Sequence, residues 1–247
     1  MHRLFMPPAQ LAPSGGSVSS GTPIRLTAEQ TRYLRTVLRL EQGALLEVFD
    51  GHGARFSARL EGDSVVLTAA EPDEPLRKVD LVLVQALAKG EKMDVIVQKA
   101  TELGAARIVP LGSERSVVKL DAERSDSRTG RYRRIAQEAA RQCGRADVPQ
   151  IDPPADWDAV FALLASEPTR LGLLLDPEAA VRLSQVARGA QRLLLAVGPE
   201  GGFSSEERAR AQQAGMLPVG LGKLVLRTET AALAALAVVQ HVHGELG

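Results

Sequence analysis

The chain is poor in cysteine, histidine and aromatic side chains, and none of its apolar runs is long. Cys143 is the single cysteine in 247 residues, so no internal disulfide can form. The four histidines form no ligand set with it, and no metal site is expected. No stretch reaches the 18 apolar residues that a membrane span needs, and no charged segment ahead of a long apolar run opens the chain. A soluble, cytoplasmic protein without a membrane partner is expected. Aromatics make up only 3% of residues against 45% hydrophobic overall, so the core must be built of Leu, Val and Ala. Net charge is also absent, because 30 basic and 30 acidic side chains cancel. A generic nucleic-acid binder is usually basic, so any anionic partner must be held by local patches.

Residues 1–5 have the pattern of a short strand with Arg3 between apolar neighbours. Residues 7–23, rich in Pro, Ser and Gly, have the composition of a flexible loop. Thr27 is placed to cap a helix over 28–37 that carries Arg32, Tyr33 and Arg35, with Arg39 just past its end. Strand-like runs follow at 45–49, 55–60 and 64–69, separated by the turn signals Asp50-Gly51 and Gly62-Asp63. This is a small, mostly β, barrel-like module over 1–72. Glu71-Pro72-Asp73-Glu74-Pro75 is the best linker in the chain, and no internal repeat is visible.

Beyond the linker the rhythm changes. Residues 81–87 are almost continuously apolar, as a buried parallel strand is. Residues 89–103 place Met93, Ile96, Val97, Ala100 and Leu103 on one helical face, with Gly104 as the stop. Residues 107–111 form another buried strand, and strand–helix–strand predicts an α/β domain over 76–247. Between Arg128 and Arg145, six arginines (Arg128, Arg131, Arg133, Arg134, Arg141, Arg145) stand against one acid, Glu138. Both a solvated helix face and a phosphate-binding ridge of Arg133, Arg134 and Arg141 fit that pattern. Cys143 reads as a structural thiol, since its motif holds no histidine to activate it. A helix is expected over 153–166 with Trp157, Val160, Phe161 and Leu164 inward. A strand over 171–175 should end at Asp176-Pro177, before a short helix or turn over 181–188.

The stretch that organises the chain is 193–232. An apolar run at 193–197 stops at Gly198-Pro199-Glu200-Gly201-Gly202, a turn with backbone left bare of side chains. Ser204-Ser205-Glu206-Glu207 fits the capping box, with Ser204 as N-cap and Glu207 reaching back. A second apolar run at 217–221 leads to Gly222, and Arg227-Thr228-Glu229-Thr230 opens an alanine-rich helix over 231–242. Two glycine-bearing loops thus each follow a strand and precede a helix. In an open α/β sheet, loops at the carboxyl ends of strands are where a ligand binds. No Gly-x-Gly-x-x-Gly occurs, so the ordinary dinucleotide fingerprint is missing.

With these motifs the chain resembles the 16S rRNA uridine-N3 methyltransferase family of the SPOUT class. The hallmarks are Gly-Pro-Glu-Gly-Gly and a following Leu-Gly…Val-Leu-Arg-Thr-Glu-Thr-Ala segment, here at 198–202 and 221–231. Arg3, Val37-Leu38-Arg39, Gly90-Glu91-Lys92-Met93, 98–104, 113–119 and Gln142-Cys143-Gly144-Arg145 with Val148-Pro149 are similar to its other signatures. The likeness spans nearly the whole chain. One position departs: Arg141 stands where the family has a glutamate. The resemblance implies a PUA-like β-barrel RNA-binding domain over 1–72. It also implies a SPOUT methyltransferase domain over 76–247, an α/β domain with a deep trefoil knot, acting as a homodimer.

The implied cofactor is S-adenosylmethionine, held bent in the knot crevice by three segments. They contribute Leu175 and Asp176; Gly198, Pro199, Glu200, Gly201 and Gly202; and Leu221, Gly222, Leu226, Arg227, Thr228, Glu229, Thr230 and Ala231. The implied partner is 16S rRNA of the small ribosomal subunit, touched by Arg3, Arg35, Arg39, Arg115, Lys119, Arg133, Arg134 and Arg145. Methyl transfer from a sulfonium is an in-line displacement that positioning accelerates. Uridine N3 must lose its proton, and a cation near O2 or O4 would stabilise the uridinate; Arg145 and Arg3 are the catalytic candidates. No general base stands out, with Glu138 and Glu229 the available carboxylates. Two other readings stay open. One is an α/β enzyme that binds the phosphate of a small substrate at the 198–202 turn. The other is a non-catalytic RNA-binding or ribosome-assembly protein of the same fold.

Overall fold

The structure, a computed structural model, describes residues 1–12, 20–72, 77–116 and 122–247. They form two compact units, Met1–Leu76 with Ala140–Val148, and Arg77–Ala139 with Pro149–Gly247. The first contains β1 (His2–Phe5), α1 (Pro8–Leu11), β2 (Pro23–Arg25), α2 (Ala28–Arg32), β3 (Leu45–Phe49), β4 (Arg55–Glu61) and β5 (Ser64–Ala70). The sheet order is β1-β3-β4-β5-β2, parallel only between β1 and β3. Strand side chains alternate between faces, so Leu46, Val48, Leu60, Val65 and Leu67 enter one core with Leu4, Ile24 and Leu34. The barrel-like module is thus a five-stranded sheet around a single core, with β1 and β2 at its edges among the described residues.

Local signals account for most of this unit. Thr27 Oγ1 accepts the Gln30 N–H at 3.2 Å while the Gln30 side chain accepts the Thr27 N–H at 2.9 Å, a full capping box. The helix expected over 28–37 does not stay α-helical: Tyr33–Val37 is a π-helical turn. The loop expected over 7–23 also needs correction. Residues Pro8–Leu11 are helical, because a proline with φ fixed near −65° suits a first turn. Residues 13–19 of that loop and 73–75 of the expected linker lie outside the described residues. Residues 140–148 pack with this first unit, although a single division near 72–76 assigns them to the C-terminal domain. There the Val148 N–H donates to Gly51 O at 2.9 Å and the Gly53 N–H to Ala146 O at 3.3 Å.

The second unit continues with β6 (Asp80–Ala86), α3 (Lys92–Glu102), β7 (Arg107–Leu111), α4 (Ala122–Cys143), β8 (Gln150–Ile151), α5 (Trp157–Ala165), β9 (Leu171–Leu175), α6 (Leu183–Ala187), β10 (Arg192–Val197), α7 (Ser205–Gln213), β11 (Leu217–Val219) and α8 (Thr228–Val242). Its six strands form a parallel sheet in the order β11-β9-β10-β6-β7-β8. Both faces are covered, so the central strands are apolar at nearly every position. Val82, Val84, Ala86, Leu194 and Ala196 pack with Trp157, Val160 and Leu164 of α5 and Ala211 of α7. By alternation Leu81, Leu83 and Gln85 face the other way, where α3 and α8 pack together. Strand order reverses between β6 and β10, and loops at the carboxyl ends of strands at such a point form a ligand crevice.

Several helix boundaries differ from the sequence reading; α3, for one, starts at Lys92 rather than Lys89. α5 starts at Trp157 rather than near 153, because the Asp156 carboxylate accepts the Ala159 N–H at 2.9 Å and acts as the N-cap. α8 starts at Thr228 rather than Ala231, so Thr228, Glu229 and Thr230 are its first turn and not its cap. Ala231, Ala232 and Ala235 are buried within the subunit, which accounts for the small residues of that helix. Cys143, expected to be structural, is exposed. Among the described residues, no helix is long and apolar enough to cross a membrane.

Candidate cofactor-binding site

Three loops of the second unit, following β9, β10 and β11, converge on a cavity of about 290 Å³ at the carboxyl ends of the strands. The turn after β10 closes with the Gly202 N–H donating to Pro199 O at 2.9 Å. Gly202 takes φ +65°, and a Cβ added there would meet nothing within 4 Å. Only glycine adopts that dihedral without penalty, so this wall of the cavity is bare backbone facing open space. Directly afterwards Ser204 caps α7: its Oγ accepts the Glu207 N–H at 3.2 Å, and the Glu207 carboxylate accepts the Ser204 N–H at 2.8 Å. The other Glu207 oxygen accepts the Trp157 indole N–H at 2.9 Å and the Glu114 N–H at 3.0 Å. A nearly buried carboxylate is thereby fully satisfied, and it ties α5, α7 and the 113–116 loop together.

The charged groups of the rim are paired with one another. Lys92 of α3 lies 2.6 Å from Glu200 in the glycine turn and 3.6 Å from Glu229 in the first turn of α8. The Lys92 hydrogen bond holds the Glu200 carboxyl below its ordinary range, and Glu200 in turn raises the Lys92 ammonium. Arg208 of α7 sits 3.7 Å from Asp176 and 3.8 Å from Glu178, after β9. The Arg115 guanidinium donates to Gly201 O at 3.0 Å. Beside these held charges, the cavity lining offers backbone groups and apolar side chains to a ligand.

Among the residues assigned to the cofactor, Leu175, Asp176, Gly198–Gly202, Leu221, Gly222, Leu226, Thr228 and Ala231 line the cavity, whereas Arg227, Glu229 and Thr230 do not. Leu224 and Val225, inside the expected 221–231 segment, also line it, and sequence reasoning missed Glu178, Val197, Phe203 and Arg208. Phe203 carried a usable signal, being the one aromatic between the glycine turn and the cap. It is buried edge-on against Trp157 at 5.1 Å. Arg115, assigned to RNA, lines this cavity. Gln85 and Lys92 were also missed; a glutamine inside the apolar run 81–87 was the available clue. Among the described residues no group of three or more His, Cys, Asp or Glu side chains is placed to hold a metal ion.

The two catalytic candidates lie in the first unit, and neither is a free cation. Arg3 Nε donates to Glu47 Oε1 at 2.6 Å, and its Nη1 donates to the carbonyls of Ala140 at 3.1 Å and Arg145 at 3.0 Å. Its guanidinium also lies 4.7 Å from the centroid of the Phe49 ring. A cation on the last carbonyls of α4 is a helix C-cap. Arg145 grips Asp147 with two bonds, at 3.2 and 2.7 Å, and the Asp147 side chain is only 8% exposed. Both guanidinium groups are thus held in place by partners within the first unit.

The RNA candidates separate in the same way. Arg35 donates to Leu40 O, Gln42 Oε1 and Gly62 O, bracing its own turn. Arg133 donates to Ile151 O at 3.3 Å and Arg134 to Gly130 O at 3.4 Å, both from exposed positions. Arg141, grouped with them as a phosphate ridge, lies with its guanidinium 3.7 Å from the Tyr33 ring centroid. Arg39 is exposed, follows the π-helical turn and takes φ +55°, unusual for a side-chain-bearing residue. Lys119 lies outside the described residues.

Comparison with known proteins agrees with this layout. The model of the RNA methyltransferase domain family matches residues 75–240, and that of the RNA methyltransferase PUA domain matches residues 26–68. Ribosomal RNA small subunit methyltransferase E of Synechocystis is 36% identical over 224 residues, covering 87% of this chain and 71% of that protein. The Bacillus subtilis protein of the same name is 30% identical over 230 residues, covering 87% and 89%. The crystal structure of the Neisseria gonorrhoeae enzyme of that name, bound to S-adenosylmethionine, matches with a TM-score of 0.87 at 30% identity, covering 98% and 97%. A putative methyltransferase from Legionella pneumophila, in complex with the same cofactor, matches with a TM-score of 0.85 at 33% identity, covering 97% and 96%. The chain thus belongs to the RNA methyltransferase family that includes ribosomal RNA small subunit methyltransferase E.

Proposed function

We propose that this protein methylates N3 of a uridine in 16S ribosomal RNA, with S-adenosylmethionine as methyl donor in the cavity lined by Gly198–Gly202. The observation that carries the reading is the bare glycine wall at the sheet's carboxyl edge, in a member of this family. A neutral, partly apolar crevice with exposed backbone amides suits an adenosyl group, whose base needs hydrogen bonds rather than charge. The bound cofactor supplies an electrophilic methyl group; the chain's own residues supply position. Lys92 keeps Glu200 turned to α3 and α8, Arg115 fixes the Gly201 carbonyl, and Arg208 fixes Asp176. A geometry set before the substrate arrives is the part of the barrier that a protein can remove by orientation.

In this reading residues 1–72, within the first unit, are the PUA-like RNA-binding domain, with Arg39 as one exposed cation. The methyltransferase domain, over 76–247, carries the trefoil knot around the crevice. The active form is a cytoplasmic homodimer, supported by Leu224 and Val225, which are 78% and 82% exposed on the loop before α8. The test has two parts. Calorimetry on the purified chain should show stoichiometric S-adenosylmethionine binding and no comparable binding of nucleoside phosphates. Mass spectrometry of 16S rRNA incubated with protein and cofactor should then reveal one N3-methyluridine. Cofactor binding without a modified nucleoside would favour a non-catalytic RNA-binding role.

A further inference from the structure

Gln85 is the only polar residue inside the buried part of β6, and it is fully buried. Its side-chain Nε2 donates to Ala86 O at 3.0 Å and to Thr228 Oγ1 at 2.9 Å, while its Oε1 has no partner among the described residues. Thr228 Oγ1 lies 2.6 Å from Gly198 O. The direction of this chain is determined. Both amide hydrogens of Gln85 are used, and turning the amide over would set its oxygen against the Ala86 carbonyl. The Thr228 hydroxyl therefore accepts from Gln85 and must give its own proton to Gly198 O. A buried acceptor left unpaired is expensive, and a leucine at 85 would match the rest of the strand without that expense.

We infer that Gln85 is a positioning residue for the cofactor crevice: by orienting the Thr228 hydroxyl toward Gly198 it holds the glycine turn against the first turn of α8. Gly198 and Thr228 both line the cavity, and Gln85 itself does not. The bond joins two cavity walls 30 positions apart in sequence. It leaves the Thr228 proton unavailable to a ligand, so Thr228 acts by shaping the crevice. The inference rests on the cavity being the S-adenosylmethionine site.

The test measures S-adenosylmethionine Kd by calorimetry, with the melting temperature alongside. Gln85→Glu keeps the shape, but a carboxyl buried there is protonated and carries a single hydrogen, so Ala86 O and Thr228 Oγ1 can no longer both be served. It should weaken binding by about tenfold to a hundredfold. Gln85→Leu, which keeps the strand apolar and protects the fold, should weaken it by a similar factor, and so should Thr228→Val. Combining Gln85→Leu with Thr228→Val should be no worse than either alone, because the two act through one bond. Thr228→Ser retains the hydroxyl and should restore wild-type affinity. Wild-type Kd in Gln85→Leu and Gln85→Glu, with only the melting temperature altered, would overturn the inference and leave Gln85 a structural residue. Failure of the wild type itself to bind the cofactor would overturn the methyltransferase reading and this inference together.

Discussion

Gly202 separates backbone strain from cavity blockage. At φ +65° a side chain forces the left-handed conformation, which costs roughly 1–2 kcal/mol for an L-residue. No atom lies within 4 Å of the Cβ position, so no steric clash adds to that figure. For a chain of this size each kcal/mol lowers the melting temperature by about 2–4 °C. Gly202→Ala should therefore melt about 2–8 °C below wild type. Gly202→Asn should melt closer to wild type, because asparagine tolerates the left-handed region. Gly201→Ala is the internal control: its φ is not positive and its Cβ would sit 3.6 Å from Arg115 Cβ and Cδ, an ordinary contact. Thermal unfolding gives the strain, and calorimetry with S-adenosylmethionine gives the blockage. Both Gly202 variants should lose affinity, Gly202→Asn the more because its side chain is larger. Wild-type affinity in Gly202→Asn would refute the bare-wall argument, and an unchanged melting temperature in Gly202→Ala would refute the dihedral argument.

Arg3→Ala leaves the Glu47 carboxylate, 13% exposed, without its cation and should destabilise the protein by about 3–5 kcal/mol in urea unfolding; a loss below 1 kcal/mol would return Arg3 to the free cations. Arg39→Glu should leave stability unchanged but flatten the salt dependence of RNA binding, by about one unit of slope for each phosphate that is no longer neutralised; an unchanged slope would remove Arg39 from the RNA surface. The Lys92–Glu200 pair has a signature in pH. A carboxylate with a depressed folded value contributes stability above its ordinary 4.5 and loses it as pH falls through the depressed value. An ammonium with a raised value contributes below its ordinary 10.5 and loses that contribution as pH rises through the raised value. The stability difference between wild type and Lys92→Met should therefore be flat across neutral pH and shrink at both extremes; a difference that persists in strong acid would show that another interaction causes it.

What the sequence determined by itself is local. The capping boxes at Thr27–Gln30 and Ser204–Glu207 join residues three apart, and both form as the pattern requires. The β3, β7 and β9 boundaries at 45–49, 107–111 and 171–175 follow from apolar runs bounded by turn residues. The glycine turn is legible because Gly202 takes a positive φ that disfavours a side chain whatever surrounds it. Only the tertiary structure decided which distant groups meet. Arg115 reaches Gly201 across 86 positions, Lys92 reaches Glu200 across 108, and Gln85 reaches Thr228 across 143. The arginines show the reason most clearly. A sequence registers each as a charge, but only the structure decides which acceptors its guanidinium meets. Glu47 and the α4 carbonyls claim Arg3, Asp147 claims Arg145, and the Gly201 carbonyl claims Arg115. Those claims depend on strand order and on where α4 ends, which no periodicity within one segment encodes.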